Sequence, residues 1–306
     1  METVRVRGTA VPHSAEKTVL ALGFFDGVHA GHSALLARVR EEAARLGAIP
    51  AVCSFSQGSG IKEDAPRLTS ESDRLAALSE ASMARVYLLD FAAVRDMSCE
   101  DFCTDILVRS MNAAAVVCGF NFRFGRGGTG DTETLTRLLA PHGVTAVILP
   151  PVTHGEGAIS SSVIRVAVEA GDMERARELL GRPFTLTGEV MHGKSLGHRI
   201  GFPTANLAVA ADSLLPARGV YAVRAEAGGK EYNGVANVGV RPTVEQNAPV
   251  NCEVHLFGGE VGDLYGKPIS VRFYKHLRGE MKFESIDALC AQIARDEAQA
   301  KEYFHG

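Results

Sequence analysis

Residues 188–195 read Gly-Glu-Val-Met-His-Gly-Lys-Ser, which meets the phosphate-loop pattern G-x-x-x-x-G-K-[ST] at every fixed position. A phosphate loop follows a buried strand and opens a helix, whose free N–H groups and positive end hold the phosphates. The upstream segment "FTLTGEV" alternates like a strand. The downstream segment cannot open a helix, because Gly197, Gly201 and Pro203 follow Ser195 closely. The octet is read as a chance match in a chain with 32 glycines. Gly188 and Lys194 can still meet phosphate, but not in that way.

Other residue groupings also suit phosphate chemistry. In "GFFDGVHAGH", His29 and His32 lie three apart where an apolar strand ends and a helix begins. Imidazole N–H groups beside a helix N-terminus suit the charge on a transferring phosphate. Gly23, Gly27 and Gly31 allow close backbone approach there. In "GAISSSVIR", Ser160, Ser161 and Ser162 precede a helix that carries Arg165 on its first turn. Hydroxyls, free N–H groups and a guanidinium make a second anion clamp. Two histidines alone would read as a tight turn with solvated side chains, a reading the three glycines tell against, and the second stretch alone reads as an ordinary helix cap. "FGRGGTGD" contains G-x-G-x-x-G from Gly125 to Gly130. It does not open the first strand–helix unit, and no acidic residue ends the next strand, so it reads as a mobile glycine loop rather than a dinucleotide site.

These residues are positioned by two different patterns. Up to residue 183, apolar runs ("TVLALGFF", "IPAVCSF", "RVYLLDF", "AAAVVCGF", "VTAVILPPV") alternate with segments of helical period such as "SALLARVREEAARLG", which Gly47 closes. Further helices are expected over "ESDRLAALSEA", "SCEDFCTDILVRSM", "TETLTRLLAPHG" and, unbroken, "SSVIRVAVEAGDMERARELLG". Alternation of this kind implies a doubly wound α/β domain on a parallel sheet. From Phe184 on, five or six short alternating segments separated by Gly, Asn and Pro imply a small antiparallel barrel. "ESIDALCAQIARDEAQAKEYF" closes the chain as an amphipathic helix. The domains are thus 1–183 and 184–306.

The bulk numbers agree with two ordinary domains: 306 residues, 46% hydrophobic and 22% charged. A net charge of −4 without a basic run gives no sign of a nucleic-acid partner. The N-terminal segment has no apolar signal core, and no apolar stretch is long enough to span a membrane, so a cytoplasmic protein is expected. Six cysteines form no CxxC pair, and Cys99 and Cys103 lack further metal ligands nearby. Reduced, mostly buried thiols are expected.

HxGH together with ISSxxIR resembles the nucleotidylyltransferase superfamily, and "CGFNFRFGRGGTGD" narrows the resemblance to the FMN adenylyltransferase domain of bacterial FAD synthetases. The resemblance implies attack of the FMN phosphate on the α-phosphate of ATP, with pyrophosphate leaving and no covalent intermediate. It makes His29, His32 and Arg165 charge stabilisers. Asn121, Arg123, Ser160, Ser161, Ser162 and the loop residues Gly23, Phe24, Asp26 and Gly27 would hold nucleotide. The chain departs from the family in having "SFSQGSGIKED" where an F-x-P-H-P element is usual.

From "GEVMHGKSLGHRIGFPTANL" through "GVANVGVRPTV", "NCEVHLF" and "YKHLRGEMKF" to the last helix, the chain resembles riboflavin kinase. The two resemblances cover nearly the whole chain and match the prokaryotic bifunctional riboflavin kinase/FMN adenylyltransferase family. They imply that Thr204 and Asn206 hold Mg²⁺ and the ATP phosphates, as oxygen ligands for a hard cation. Glu253 would be the base for the ribityl hydroxyl, with Arg278 near the flavin. Gly188, Lys194, His198, Gly201 and Pro203 would flank the nucleotide, His198 standing where the family generally has Arg or Lys. The expected ligands are riboflavin, FMN, FAD and ATP, with no nucleic acid and no membrane, in a monomer or weak homo-oligomer. Two alternatives are a riboflavin kinase with a degenerate transferase domain and a non-catalytic flavin-binding regulator.

Overall fold

The computed structural model describes residues 1–58, 60, 65–155, 157–191, 202–240, 250–258 and 264–305. The chain divides into two compact units, residues 1–65 with 71–160, and residues 66–70 with 161–306.

The first unit is built on a six-stranded sheet of order β1-β4-β3-β2-β5-β6 in which every neighbouring pair is parallel. Its strands are β1 (Glu2–Val6), β2 (Thr18–Leu22), β3 (Ile49–Phe55), β4 (Arg85–Leu89), β5 (Ala113–Gly119) and β6 (Thr145–Leu149). All five residues of β2 are buried, as a strand covered on both faces requires. Leu20 and Leu22 enter the core cluster on one face, and Val19 and Ala21 the cluster on the other. Each Val, Leu or Phe so buried contributes about 1.5–3 kcal/mol. The first strand was not among those expected. Only Val6 of "ETVRV" is buried, so at the sheet edge it carries little apolar signal.

The helices of this unit are α1 (Ala30–Leu46), α2 (Glu71–Glu80), the short α3 (Phe91–Val94), α4 (Cys99–Asp101) and α5 (Thr132–Leu139). Gly47 ends α1 in the left-handed conformation, φ 61°, as expected. After α4 the chain continues as wide, π-type turns over Phe102–Ser110. A two-residue hairpin of β7 (Thr153–His154) and β8 (Gly157–Ala158) follows the sheet.

In the second unit the single helix expected over 161–181 is two, α6 (Ser161–Glu169) and α7 (Met173–Leu180). Gly171 at φ 77° breaks the run, and the Asp172 carboxylate caps α7 by accepting from Arg175 N at 2.9 Å. Six strands then close an antiparallel barrel of order β10-β13-β12-β11-β14-β9. They are β9 (Phe184–Met191), β10 (Thr204–Ala208), β11 (Gly219–Ala227), β12 (Lys230–Val240), β13 (Val250–Leu256) and β14 (Pro268–Arg278). Tyr221, Val223 and Ala225 are fully buried, while the alternate residues Val220 and Ala222 pack with Val235, Phe257 and Ala300 under the last helix, α8 (Ile286–His305).

Gly188 lies inside β9, paired with Ile269, and the strand runs on to Met191. That is not the place of a phosphate loop's first glycine, which follows a strand end. It permits close approach of the strands, because a Cβ there would collide with the backbone carbonyl of Ala208 on β10. Gly188→Ala should therefore destabilise the barrel by about 1–3 kcal/mol, the usual effect of overpacking, read as a lower unfolding midpoint. An unchanged midpoint would show that β9 and β10 separate freely.

Candidate active sites

In the sheet, β2 continues to β3 and β4 on one side while β5 and β6 lie on the other, so strand order reverses between β2 and β5. Ligands of open α/β sheets bind at the carboxyl edge of such a switch point. The loop of residues 23–29 leaves β2 there, and the turn holding Asn121 leaves the adjacent β5. Phe25 (φ 61°), Gly27 (φ 84°) and Val28 (φ 38°) are all left-handed. For the two non-glycines this is strain of order 1–3 kcal/mol each. Burial of Phe25 and Val28 in the core cluster opposes it. A Cβ on Gly23 would stand 3.2 Å from the Phe25 ring. Asp26, only 2% exposed, sits inside the same loop.

The loop delivers His29 as the N-cap of α1, with its Nδ1 accepting from His32 N at 3.4 Å. An Nδ1 that accepts is unprotonated, so the proton of the neutral ring sits on Nε2. The two imidazoles stack 3.8 Å apart, and His32 also lies 5.0 Å from the Phe25 ring. Gly31 permits this, since a Cβ there would be 3.1 Å from His29 Cε1. The spacing H-x-G-H thus places two imidazoles on the first turn of a 17-residue helix. Near Asn121, Phe122 N donates to Gly119 O at 3.0 Å to close the turn. Arg123 pairs at 3.5 Å with Asp131, both exposed. In the glycine loop, Phe124 and Gly130 exchange two backbone hydrogen bonds of 3.1 and 2.9 Å. A Cβ on Gly130 would meet Cys99 Sγ at 2.7 Å.

Ser160 ends the first unit, whereas Ser161, Ser162 and Arg165 belong to the second. Ser161 and Ser162 begin α6. Arg165 follows one turn later, its Nε donating to Pro66 O at 2.8 Å.

The barrel gathers another set. The register puts Asn206 of β10 opposite Glu253 of β13, and Asn237 of β12 opposite Glu253 on its other side. Asn251, two residues from Glu253 and so on the same face, uses one amide group twice. Its Nδ2 donates to Glu253 Oε1 at 3.1 Å and to Asn206 Oδ1 at 3.0 Å. Cys252 and Val254, on the alternate face, are 1% exposed. The alternation alone suggested a solvent-facing polar face, and the structure makes that face half-buried. Glu253 and His255 line a cavity of about 240 Å³ together with Thr204, Arg278 and the α8 residues Leu289, Ile293 and Asp296. Pro203 O is joined to His255 Nδ1 at 2.9 Å, which ties the start of β10 to β13.

Thr204 and Asn206 stand two apart on one strand, next to a carboxylate. A hydroxyl, an amide oxygen and a carboxylate are donors of the kind Mg²⁺ takes, so these residues fit the metal expected of them. Lys194, His198 and Gly201 lie outside the described residues.

Two buried charged side chains beside these sites carry no signal in the sequence. Asp296, 2% exposed, receives Arg278 Nη2 at 2.7 Å and Nε at 2.9 Å, and Gln292 Nε2 at 2.8 Å. This fork fixes Arg278 at the cavity wall and pins α8 to β14. Asp296→Ala should destabilise the barrel by about 3 kcal/mol, the low end for a broken buried pair, because the guanidinium is partly wet. Chemical denaturation checks it, and a loss below about 1 kcal/mol would reduce the pair to a surface bridge. The other is Arg74, buried on α2 with hydrogen bonds to Phe24 O and Phe55 O. Both are charged residues within amphipathic patterns, where a solvated role is the ordinary inference.

All six cysteines are free. Burial pushes the thiols of Cys53, Cys103, Cys118 and Cys252 up to about 12, which keeps them protonated and unreactive.

Residues 11–163 match the family model of FAD synthetase and residues 180–304 that of riboflavin kinase. The bifunctional riboflavin kinase/FMN adenylyltransferase of Bacillus subtilis is 36% identical over 297 residues, covering 94% of this chain and 93% of its own. The protein of the same name from Escherichia coli K12 is 37% identical over 296 residues, with coverage of 94% and 93%. A crystal structure described as a macrolide-efflux protein from Streptococcus pneumoniae aligns with a TM-score of 0.88 at 30% identity, over 98% of this chain and 99% of that one. Among the described residues no helix is long and apolar enough to cross a membrane. Matches to both catalytic modules, in the order in which the sheet and the barrel follow one another, place the chain in the family of bifunctional riboflavin kinase/FMN adenylyltransferases.

Proposed function

We infer that the barrel phosphorylates riboflavin to FMN with one ATP, and that the parallel-sheet domain joins FMN to the AMP part of a second ATP to give FAD and pyrophosphate. The observation that carries the kinase half is Glu253, held by Asn251 at the wall of a cavity that also contains Thr204 and Arg278. Phosphoryl transfer needs little covalent help from a protein, so positioning and charge do most of the work. Glu253 takes the proton of the ribityl primary hydroxyl as its oxygen attacks the γ-phosphorus and ADP leaves. Asn251 fixes the carboxylate for that role, and Asn237 lies across the ladder from it. Arg278, immobilised by Asp296, lies beside the flavin. Thr204 and Asn206 would hold Mg²⁺, which when bound neutralises charge on the ATP phosphates. Gly188, Lys194, His198, Gly201 and Pro203 flank the nucleotide.

In the transferase half an oxygen of the FMN phosphate forms a bond to the α-phosphorus, and the bond to pyrophosphate breaks. His29, His32 and Arg165 stabilise the charge that builds on the α-phosphate. Backbone groups of Gly23, Phe24, Asp26 and Gly27, with Asn121, Arg123 and the serines 160–162, hold the nucleotides. The division of labour follows residues 1–183 and 184–306, in a cytoplasmic monomer or weak homo-oligomer.

The halves are tested separately. With FMN and ATP alone, the protein should release one pyrophosphate for each FAD formed. No pyrophosphate, with kinase activity intact, would leave the alternative of a degenerate transferase domain.

A further inference from the structure

Arg74 is 3% exposed and lies beneath the loop that carries the histidines. Its Nη1 donates to Phe24 O at 2.8 Å and its Nη2 to Phe55 O at 2.7 Å. Ser54 Oγ donates to the same Phe24 carbonyl at 3.1 Å. The guanidinium carbon stands 4.7 Å from the centre of the Phe24 ring, and Glu71 Oε2 lies 3.8 Å from Nη2. One planar fork therefore joins the segment leaving β2 to the end of β3. A lysine ammonium, a single point donor, cannot span both carbonyls in the same way.

The clamped carbonyl precedes Phe25, the first of three left-handed residues between Phe24 and His29. A loop with two non-glycine residues in that region keeps its shape only if its surroundings over-determine it. Phe25 and Val28 are anchored through their side chains, and Phe24 through its backbone by Arg74. His29 follows directly as the N-cap of α1, so any relaxation of the loop shifts the cap and the ring stacked on it.

We propose that Arg74 is a positioning residue for adenylyl transfer, holding the Phe24–Val28 loop so that His29 and His32 meet the α-phosphate. This rests on the reading of those histidines as charge stabilisers. A misplacement of about 1 Å at a reacting centre can lower a rate a hundredfold. His29 and His32 act on charge that builds only in the transition state, so displacing them lowers kcat, while the loop's own nucleotide contacts add a smaller rise in KM.

Full-length Arg74→Met and Arg74→Lys, with His32→Ala alongside, are assayed for both activities on one preparation each, with thermal unfolding recorded. Arg74→Met should form FAD from FMN with kcat lowered by about tenfold to a hundredfold. Its KM for ATP should rise by less than kcat falls, and FMN formation from riboflavin should be unchanged. Arg74→Lys should fall between, because it reaches one carbonyl. Parent-like FAD kcat in Arg74→Met would overturn the proposal. So would a parallel loss of both activities, or a raised KM at unchanged kcat. If His32→Ala itself forms FAD normally, the reading of the histidines has failed. If His32→Ala is inactive and Arg74→Met normal, only the positioning role has.

Discussion

Glu253→Gln will bind riboflavin and ATP nearly as the parent does and make FMN about 10²–10⁴-fold more slowly. Glutamine keeps the volume and an oxygen that Asn251 can still donate to, so the network with Asn206 survives in part. What it lacks is a lone pair basic enough to take a proton from a primary alcohol. Glu253 sits on a strand whose alternate residues are core, beside two asparagines and against a cavity. The expectation follows from the proposed role of Glu253 as the base for the ribityl hydroxyl. Conversion of supplied FMN to FAD should be unchanged. The measurement is both rates on one folded preparation. Parent-like FMN formation would remove Glu253 from the mechanism, and equal loss of both rates would indicate misfolding.

His32→Ala should suppress FAD formation from FMN by about a hundredfold or more, the usual result of removing one preorganised donor from a transition-state anion. The ring is held between His29, 3.8 Å away, and Phe25, 5.0 Å away, so its position is set before substrate arrives. Alanine keeps α1 intact, because the helix is capped by His29 accepting from the backbone N–H of residue 32, not from the side chain. FMN formation should continue at the parent's rate. Near-normal FAD production would take His32 out of the reaction.

What could be read in the sequence was mostly local. The all-buried β2, the Gly47 stop of α1 and the H-x-G-H start of that helix each need only a few neighbouring residues. The edge strand β1 escaped because one buried valine makes no periodic signal. The break between α6 and α7 was present as Gly171-Asp172, but the apolar period continues across it. The proposed kinase site could not be assembled from spacing. Thr204, Asn206 and Glu253 meet through the register of β10 on β13, and the covering wall comes from α8, some thirty residues after Glu253. Arg74 and Asp296 were invisible for a related reason. A buried charge is recognised by its partners, and Phe24 O, Phe55 O and Arg278 are distant in the chain.

The central claim is that one chain carries out two successive reactions. It is tested most directly by incubating the purified protein with riboflavin, ATP and Mg²⁺ and separating the flavins by chromatography over time. FMN should appear first and then give way to FAD. FMN that accumulates without FAD would contradict a working transferase, and unchanged riboflavin would contradict the enzyme altogether.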